Sequence, residues 1–430
     1  MPKSNPYLSE NPNVDEFYDG DPYAGNAGSY GDHENSEPIS SFEQQFGGVA
    51  NVAKRPGGPS GNKPKNGNNK NGNKKKMVFL IILGVVVLML AVGVALYLIG
   101  KPRGITTVMT NPTKDVVLIT GPEGLDDPVA ANIWQGIEEA SQKNSLTAGY
   151  IVPKADTEKE FNAKLDEACR DYRIVVCYGQ DLADNLLIKV QTYPQANFLF
   201  FEGTILTGEG ETSTFPNVLE VGFRVEEASY LAGYLAFKMN SGNSLGFVGG
   251  KDEPALRAYY GFYAGVMHAS NNPGYEIRSG LPGSAADGYK RVKTLASDIY
   301  KDGAGIIYHS VGSHYGQAIA EAARQDNKKV IASGRVPENA GSEVLMTVVK
   351  NYDVVVKDLL EKSTNNSLPY GERVYYGYTE NALSLPKPAK DVSDSLWNQA
   401  EDLRNKIIKG ERSVPGNQDE FDYKVQKGGW

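Results

Sequence analysis

Cysteine and histidine are scarce in this chain, which has two cysteines and four histidines among its 430 residues. Two cysteines are too few for a disulfide-dense secreted scaffold, and the scattered histidines lack the spacing of a metal site. Cys169 and Cys177 fall near a helix end and on the strand that follows it. Two alternatives stand for this pair, one disulfide or two buried free thiols. We expect neither a metal nor another cofactor.

Catalytic motifs and an excess of basic residues are also missing. The chain has no G-x-S-x-G nucleophile elbow, no H-E-x-x-H helix, no Walker loop and no G-x-G-x-x-G fingerprint. Acids outnumber bases by 52 to 44, which gives a formal net charge of -8. Because nucleic-acid binding needs a basic surface, nucleic acid is not expected as a partner. An enzyme is not predicted either.

An uncharged apolar run covers residues 77–99, MVFLIILGVVVLMLAVGVALYLI, directly after three lysines. As a helix it would be about 35 Å long, enough to cross a bilayer core of about 30 Å. The run is longer than the apolar region of a signal peptide, so we favour an uncleaved single-pass anchor. The lysines should hold the N-terminal side in the cytoplasm. The C-terminal part is therefore predicted to be extracellular, at the cell membrane.

Residues 1–76 are predicted to form a disordered cytoplasmic tail. They combine acids, tyrosines, glycine and proline with little to bury, and end in a basic linker suited to anionic lipid headgroups. The tyrosines would serve as a docking motif, or the tail would only solubilise the chain.

From Asp115 onward, short β-branched runs alternate with amphipathic stretches of helical length. The run VVLIT (116–120) precedes a helix-like stretch from Pro128 to Lys143, and GIIYHS (305–310) precedes another. This alternation predicts parallel sheets with right-handed crossovers. Two such series over about 330 residues predict an α/β fold with two doubly wound lobes.

Loops at the carboxyl ends of the strands carry the candidate binding residues, because ligands of open α/β sheets bind there. Asp126 and Asp127 precede a helix start, where they accept hydrogen bonds from a ligand or cap the helix. Gly250 permits close approach of a ligand to a helix N-terminus, or makes a tight turn. His314 lies at the corresponding strand end in a later strand–helix unit. There it would donate a hydrogen bond to the ligand or be only an exposed residue.

Four further side chains complete the candidate set. Arg335 would bind an acidic group through two hydrogen bonds, or form a surface ion pair. Tyr178, Tyr259 and Tyr378 would stack on a ligand, or fill the core.

Five segments, in this order and spacing, resemble the basic membrane protein family of bacterial solute-binding proteins, the purine-nucleoside-receptor-like (PnrA-like) group. They are NVLEVGFRVEEASYLAGYLA (217–236), SLGFVGGKDEP (244–254), YYGFYAGVMHA (259–269), GAGIIYHSVGSHYGQAIAEAA (303–323) and VLMTVVKNYDVVV (344–356). The resemblance implies a type I periplasmic-binding-protein fold, in which two lobes joined by a hinge of three crossings close on a small ligand. It also implies a nucleoside-like ligand and an ABC permease as partner.

At the binding positions the chain departs from the family pattern D-D-x-x-F-N. Asp126 and Asp127 remain, but the phenylalanine–asparagine pair does not, and the segment ends in Asn132. The stacking phenylalanine of F-x-x-G-F is Ala258, with Tyr259 beside it. Where the family has G-V-D after a later strand, this chain has Arg335. The loss of a carboxylate and the gain of an arginine change the polarity of the expected cleft.

The resemblance places the three crossings near Phe223, Pro337 and Asn365. The predicted divisions are a tail (1–76), a transmembrane helix (77–99), lobe 1 (113–223 plus 338–364), lobe 2 (224–337 plus 365–410) and a C-terminal tail (411–430).

The resulting hypothesis is a membrane-anchored extracellular solute-binding protein of an ABC-type uptake system. The alternative is a degenerate binding-protein fold that acts as a membrane sensor or protein-interaction module. The predicted ligand-binding residues are Asp126, Asp127, Asn132, Tyr178, Gly250, Tyr259, His314, Arg335 and Tyr378.

Overall fold

The computed structural model describes residues 107–207, 212–240, 244–272, 275–280, 288–334, 341–388 and 392–428. Within these ranges the strands are β1 (Lys114–Ile119), β2 (Ala148–Ile151), β3 (Tyr172–Tyr178), β4 (Asn197–Phe201), β5 (Val218–Phe223), β6 (Ser244–Gly249), β7 (Arg278–Gly280), β8 (Ala304–Ser310), β9 (Lys329–Ser333), β10 (Val344–Lys350), β11 (Arg373–Tyr376) and β12 (Leu383–Ser384). The helices are α1 (Pro128–Asn144), α2 (Glu158–Asp171), α3 (Ala183–Thr192), α4 (Val225–Met239), α5 (Glu253–Ser270), α6 (Gly288–Lys301), α7 (Ser313–Gln325), α8 (Tyr352–Ser363), α9 (Asp394–Ile408) and α10 (Gln418–Lys427).

The strands form two six-stranded sheets, each the centre of one lobe. The first has the order β11-β5-β4-β3-β1-β2 and is parallel throughout. The second has the order β12-β10-β9-β8-β6-β7, and only β12 runs antiparallel to its neighbour. Residues 116–119 of β1 and 198–201 of β4 are fully buried, as expected for parallel strands covered on both faces. The two predicted parallel-sheet lobes are confirmed.

In the described part of the chain, three crossings connect the lobes, and two of them differ from the predicted crossings. The first follows β5, near Phe223 as predicted. The segment 344–350, predicted for lobe 1, pairs as β10 with β9 in the second sheet, so the chain crosses after Lys350 rather than near Pro337, which lies outside the described residues. It returns after β11, which pairs with β5 in the first sheet, rather than near Asn365. Strand pairing therefore corrects the boundaries 338–364 and 365–410.

The predicted tail (1–76) and membrane span (77–99) lie outside the described residues. Among the helices in the described ranges, none combines the length and apolar character needed to cross a bilayer.

The C-terminal segment, predicted as a tail, contains helix α10 packed on helix α5. Phe421 is 5% exposed, and its ring stacks on Tyr263 with the centroids 4.8 Å apart. Tyr260 Oη donates a hydrogen bond to Gln418 Oε1 at 2.6 Å. The aromatic face of α5 is therefore covered by the end of the chain.

Helices α4 and α5 approach each other closely through the glycines Gly233, Gly261 and Gly265. A Cβ atom added at Gly233 would lie 2.1 Å from the carbonyl oxygen of Phe262, and one added at Gly265 would lie 2.0 Å from that of Tyr230. Backbone therefore packs directly on backbone, and each of these positions requires glycine.

Cys169 and Cys177 are both buried and free. Burial raises the pKa of the Cys169 thiol to about 12 and that of Cys177 well above its ordinary value. The structure thus has the two buried thiols rather than the disulfide.

His309 is a buried titratable group on β8. It is 3% exposed, and its Nδ1 has no hydrogen-bond partner among the described residues. Burial lowers the pKa of its imidazole from 6.5 to about 4. In that pH range the unfolded chain binds a proton that the folded chain does not, so this group makes stability rise with pH.

Because of His309, the free energy of unfolding should rise between pH 4 and pH 6.5, and the His309→Asn substitution should remove about 3 kcal/mol of that rise. This is the free energy that corresponds to lowering the pKa of the imidazole from 6.5 to about 4. Urea denaturation at several pH values would measure this. The matched control is His314→Asn, the same substitution at an exposed histidine. Parallel pH profiles for the His309 variant and the unmodified chain would contradict the prediction.

Candidate functional site

Asp127 and Tyr178 meet at the carboxyl edge of the first sheet. Asp127 caps helix α1, with Oδ1 accepting from Val129 N at 3.3 Å and Oδ2 from Ala130 N at 3.2 Å. Pro128 at the first helical position suits this start. Tyr178 Oη, at the end of β3, donates to Asp127 Oδ2 at 2.6 Å. Burial, followed by this carboxylate, raises the pKa of Tyr178, so the phenol stays protonated as a donor.

Glu202 lies at the same edge, directly after β4. Its φ of 54° is left-handed, a strained conformation for a residue other than glycine that is typical of functional sites. Its Oε1 lies 2.5 Å from Lys350 Nζ, at the end of β10 in the other sheet. Its Oε2 accepts a short hydrogen bond from Tyr352 Oη. The ends of two strands from different lobes are thus joined at this carboxylate.

We call these two groups together the strand-end cluster: Tyr352 donates to Glu202 and interacts electrostatically with Asp127 and Tyr178. The Tyr352 hydroxyl is buried, and its pKa is raised well above the ordinary value, first by burial and then by Glu202, with further contributions from Asp127 and Tyr178. The cluster therefore offers carboxylates and phenols at the first sheet and one ammonium from the second. Such groups can bind the hydroxyls and amides of a polar molecule. Its members are Asp127, Tyr178, Glu202, Lys350 and Tyr352.

Three members of the strand-end cluster were not predicted as binding residues. Glu202 and Lys350 stand at the carboxyl ends of β4 and β10, so the rule that placed Asp127 could have found them. Tyr352 follows Lys350 closely in the sequence. The pairing of Glu202 with Lys350 had no signal in the sequence, because 148 residues separate them.

Three of the predicted residues follow strands of the two sheets but are not members of this cluster. Asp126 is exposed and ends the short 3-10 turn before α1. Gly250 follows β6, where the atom nearest to an added Cβ would be Oδ1 of the Asp252 side chain, at 2.2 Å. His314 is exposed in the first turn of α7, with its ring centroid 4.9 Å from that of Tyr289. Arg335 lies outside the described residues.

The other three predicted residues make their contacts inside the lobes. Asn132 Oδ1 accepts from the backbone N–H of Asp353 at 3.3 Å, which fastens α1 to α8. Tyr259 is half-buried and packs edge-on against Phe247, with their centroids 5.2 Å apart. Tyr378 is 1% exposed and beside a cavity of about 100 Å³, so its ring is not accessible to a ligand at the strand ends.

Two of the crossings are held together by Arg224. Its Nε donates to Glu227 Oε1 at 2.9 Å, its Nη2 to Glu380 Oε2 at 2.5 Å, and its Nη1 to the carbonyl oxygen of Tyr375 at 2.5 Å. The backbone N–H of Arg224 also donates to the carbonyl of Tyr376 at 2.8 Å. The first and third crossings therefore form one hydrogen-bonded unit.

Glu253 of α5 makes a second bridge between the lobes. Its Oε1 accepts from Tyr375 Oη at 2.6 Å, and its Oε2 lies 2.8 Å from Arg373 Nη2. Both partners belong to β11 of the first sheet. No group of three or more metal-ligating side chains occurs within the described ranges.

Comparison with known proteins agrees with this architecture. The family described as "ABC transporter substrate-binding protein PnrA-like" matches residues 114–418. The chain is 26% identical over 322 residues to the CD4+ T-cell-stimulating antigen of Listeria monocytogenes, covering 70% of this chain and 87% of that protein. It is 23% identical over 322 residues to the ABC transporter nucleoside-binding protein BmpA of Lactococcus lactis, covering 69% and 88%.

A solved structure of an ABC transporter solute-binding protein from Aeropyrum pernix has the same fold. Its TM-score is 0.57 at 19% identity, and the match covers 73% of this chain and 98% of that one. The family match extends over both sheets and well over half of the sequence. The chain therefore belongs to the PnrA-like family of ABC transporter substrate-binding proteins, whose members bind small molecules and work with a permease.

Proposed function

We propose that this protein closes its two lobes on a small polar, nucleoside-like ligand and delivers it to an ABC permease. The strand-end cluster carries the proposal, because it joins carboxylates of one lobe to a cation of the other. A ligand that contacts both lobes favours the closed state, because it makes contacts there that the open state does not offer. The shift equals the difference in binding free energy between the closed and the open state.

Asp127 is the proposed acceptor for hydroxyl groups of the ligand. Its carboxylate is held by the start of α1 and by Tyr178, so little freedom is lost when a ligand binds. From the second lobe, the backbone at Gly250 and the exposed ring of His314 are the proposed contacts. The name of the Lactococcus lactis relative, a nucleoside-binding protein, supports a nucleoside as the first ligand class to test.

Calorimetric titration of the full-length chain in detergent with purine and pyrimidine nucleosides would test this function. At least one nucleoside should bind saturably, and Asp127→Asn should weaken it about tenfold or more, because a hydrogen bond to a charged group is worth about 1.5–3 kcal/mol. Asparagine still caps a helix, so this variant should fold.

The matched control is Asp302→Asn, an exposed acid before the amino end of β8, which should bind as the unmodified chain does. Failure of every nucleoside to bind, or unchanged binding by Asp127→Asn, would contradict the assignment.

The proposed location is the outer face of the cell membrane, with residues 77–99 as anchor and the lobes outside. The uncharged run and the three lysines before it support this orientation. A membrane-impermeant thiol reagent should label a cysteine introduced at the exposed residue Lys409 in intact cells. Labelling only after lysis would contradict the orientation.

A further inference from the structure

A second cavity of about 850 Å³ lies between the crossings and the C-terminal segment. It shares no residue with the strand-end cluster, and its volume lies within the range of small-molecule sites. Arg224 and Tyr375 contribute from the crossings, and Glu226 and Arg257 from α4 and α5. The end of the chain contributes Ser413, Val414, Pro415, Asp419, Glu420, Tyr423 and Lys424. We call it the hinge cavity.

One acid of the hinge cavity is buried and only half satisfied. Glu226 is 4% exposed, and its Oε1 accepts from Arg257 Nη1 at 2.9 Å. Its Oε2 has no hydrogen-bond partner among the described residues. Leaving a carboxyl oxygen buried and unpaired is costly, so Glu226 Oε2 would gain a hydrogen bond from a donor that reached it through the cavity. Burial raises the pKa of Glu226 to about 7.

The C-terminal segment is closely fitted over this pair. A Cβ atom at Gly416 would lie 2.6 Å from Arg257 Nη1 and 3.3 Å from the carboxyl carbon of Glu226. Gly416 N donates to Glu420 Oε2 at 2.8 Å, which begins helix α10. The wall of the cavity is therefore a fixed part of the fold.

Most of the charges lining the cavity already have partners. Arg224 binds Glu227, Glu380 and a carbonyl oxygen. The Arg257 guanidinium binds Glu226 and Glu253 and lies over the Tyr375 ring, 4.3 Å from its centroid.

Lys424 differs from these charges. In the described part of the chain it has no ion pair, and burial lowers the pKa of its ammonium. Two further lining acids, Asp419 and Glu420, are exposed, and Glu420 Oε2 already accepts from Gly416 N. Glu226 Oε2 is thus the buried acceptor, and Lys424 the partly buried cation, that have no hydrogen-bond partner in the described part of the chain, beside the apolar side chains of Val414 and Pro415.

We infer that the hinge cavity binds a small zwitterion of the α-amino acid or short-peptide class. Its ammonium group would donate to Glu226 Oε2, its carboxylate would lie against Lys424, and its side chain would contact Val414, Pro415 and Tyr423. Because Arg224 and Tyr375 belong to the crossings, an occupant of this cavity would also stabilise one relative position of the lobes.

Calorimetric titration of the full-length chain with the twenty α-amino acids tests this site. At least one should bind saturably. Its decarboxylated amine and its N-acetyl derivative should each bind at least tenfold more weakly, because each lacks one of the two charges. Failure of all twenty to bind, or equal binding of either derivative, would overturn the proposal.

Variants locate the binding. Glu226→Gln and Lys424→Met should each weaken it at least tenfold; the second alters a half-exposed side chain and should fold even if the first does not. The controls Lys409→Met, an exposed lysine, and Asp302→Asn, an exposed acid, lie outside the cavity and should bind as the unmodified chain does. Unchanged binding by Lys424→Met, or an equal loss in the two controls, would overturn the assignment. Nucleoside binding is measured in a separate titration, so the proposed nucleoside site and the proposed hinge-cavity site can each be contradicted independently of the other.

Discussion

The Gly265→Ala substitution should lower the free energy of unfolding by about 3 kcal/mol, the upper end of the usual cost of overpacking. The new methyl would lie 2.0 Å from the carbonyl oxygen of Tyr230 and 2.8 Å from the backbone nitrogen of Tyr234. Neither atom can move unless helices α4 and α5 separate. The loss should appear although alanine favours a helix over glycine by about 1 kcal/mol.

Urea denaturation would measure this loss as a lower midpoint. Gly312→Ser is the matched control, because no atom lies within 4 Å of a Cβ at Gly312 and its φ of -56° is ordinary. Serine is also a favoured residue at this helix start. Equal stability of the Gly265 variant and the control would show that the helices adjust without cost.

The Lys350→Met substitution should lower the free energy of unfolding by about 3 kcal/mol, because it leaves Glu202 charged and largely buried without its cation. The two side chains are only 13% and 16% exposed, so water cannot take over the role of the ammonium. Tyr352 would remain as a donor to the same carboxylate.

A double-mutant cycle separates the ion pair from packing. Lys350→Met combined with Glu202→Gln should recover most of the loss, because no unpaired charge then remains. Lys362→Met is the control; its pair with Asp358 is 47% and 42% exposed and should contribute below about 0.5 kcal/mol. Additive losses in the double variant would contradict a coupled pair.

Local sequence signals sufficed for most of the elements. The predicted helix from Pro128 to Lys143 is α1 (Pro128–Asn144), and the run 305–310 lies in β8 (Ala304–Ser310). Proline at the helix start and an unbroken apolar strand are short-range features, so the sequence carries them completely.

The lobe boundaries depend on partners that are distant in the chain, and local signals did not contain them. The sequence of residues 344–350 predicts a strand but is compatible with either lobe. Only the pairing with β9 assigns this strand to the second sheet. The same limit applies to Asn132, whose carbonyl faces α8. Helix periodicity predicts that α1 has buried faces, but not which neighbour covers each one.

The order of the strands has a consequence for biosynthesis. Strand β11 completes the edge of the first sheet beside β5, yet five of the six strands of the second sheet lie between them along the chain. The first sheet cannot finish its hydrogen bonding until β11 (Arg373–Tyr376) has been synthesised, and the second cannot until β12 (Leu383–Ser384) has followed. The nascent chain therefore has open sheet edges, which are prone to aggregation, until these last strands have been synthesised. Both lobes can complete their folding only then.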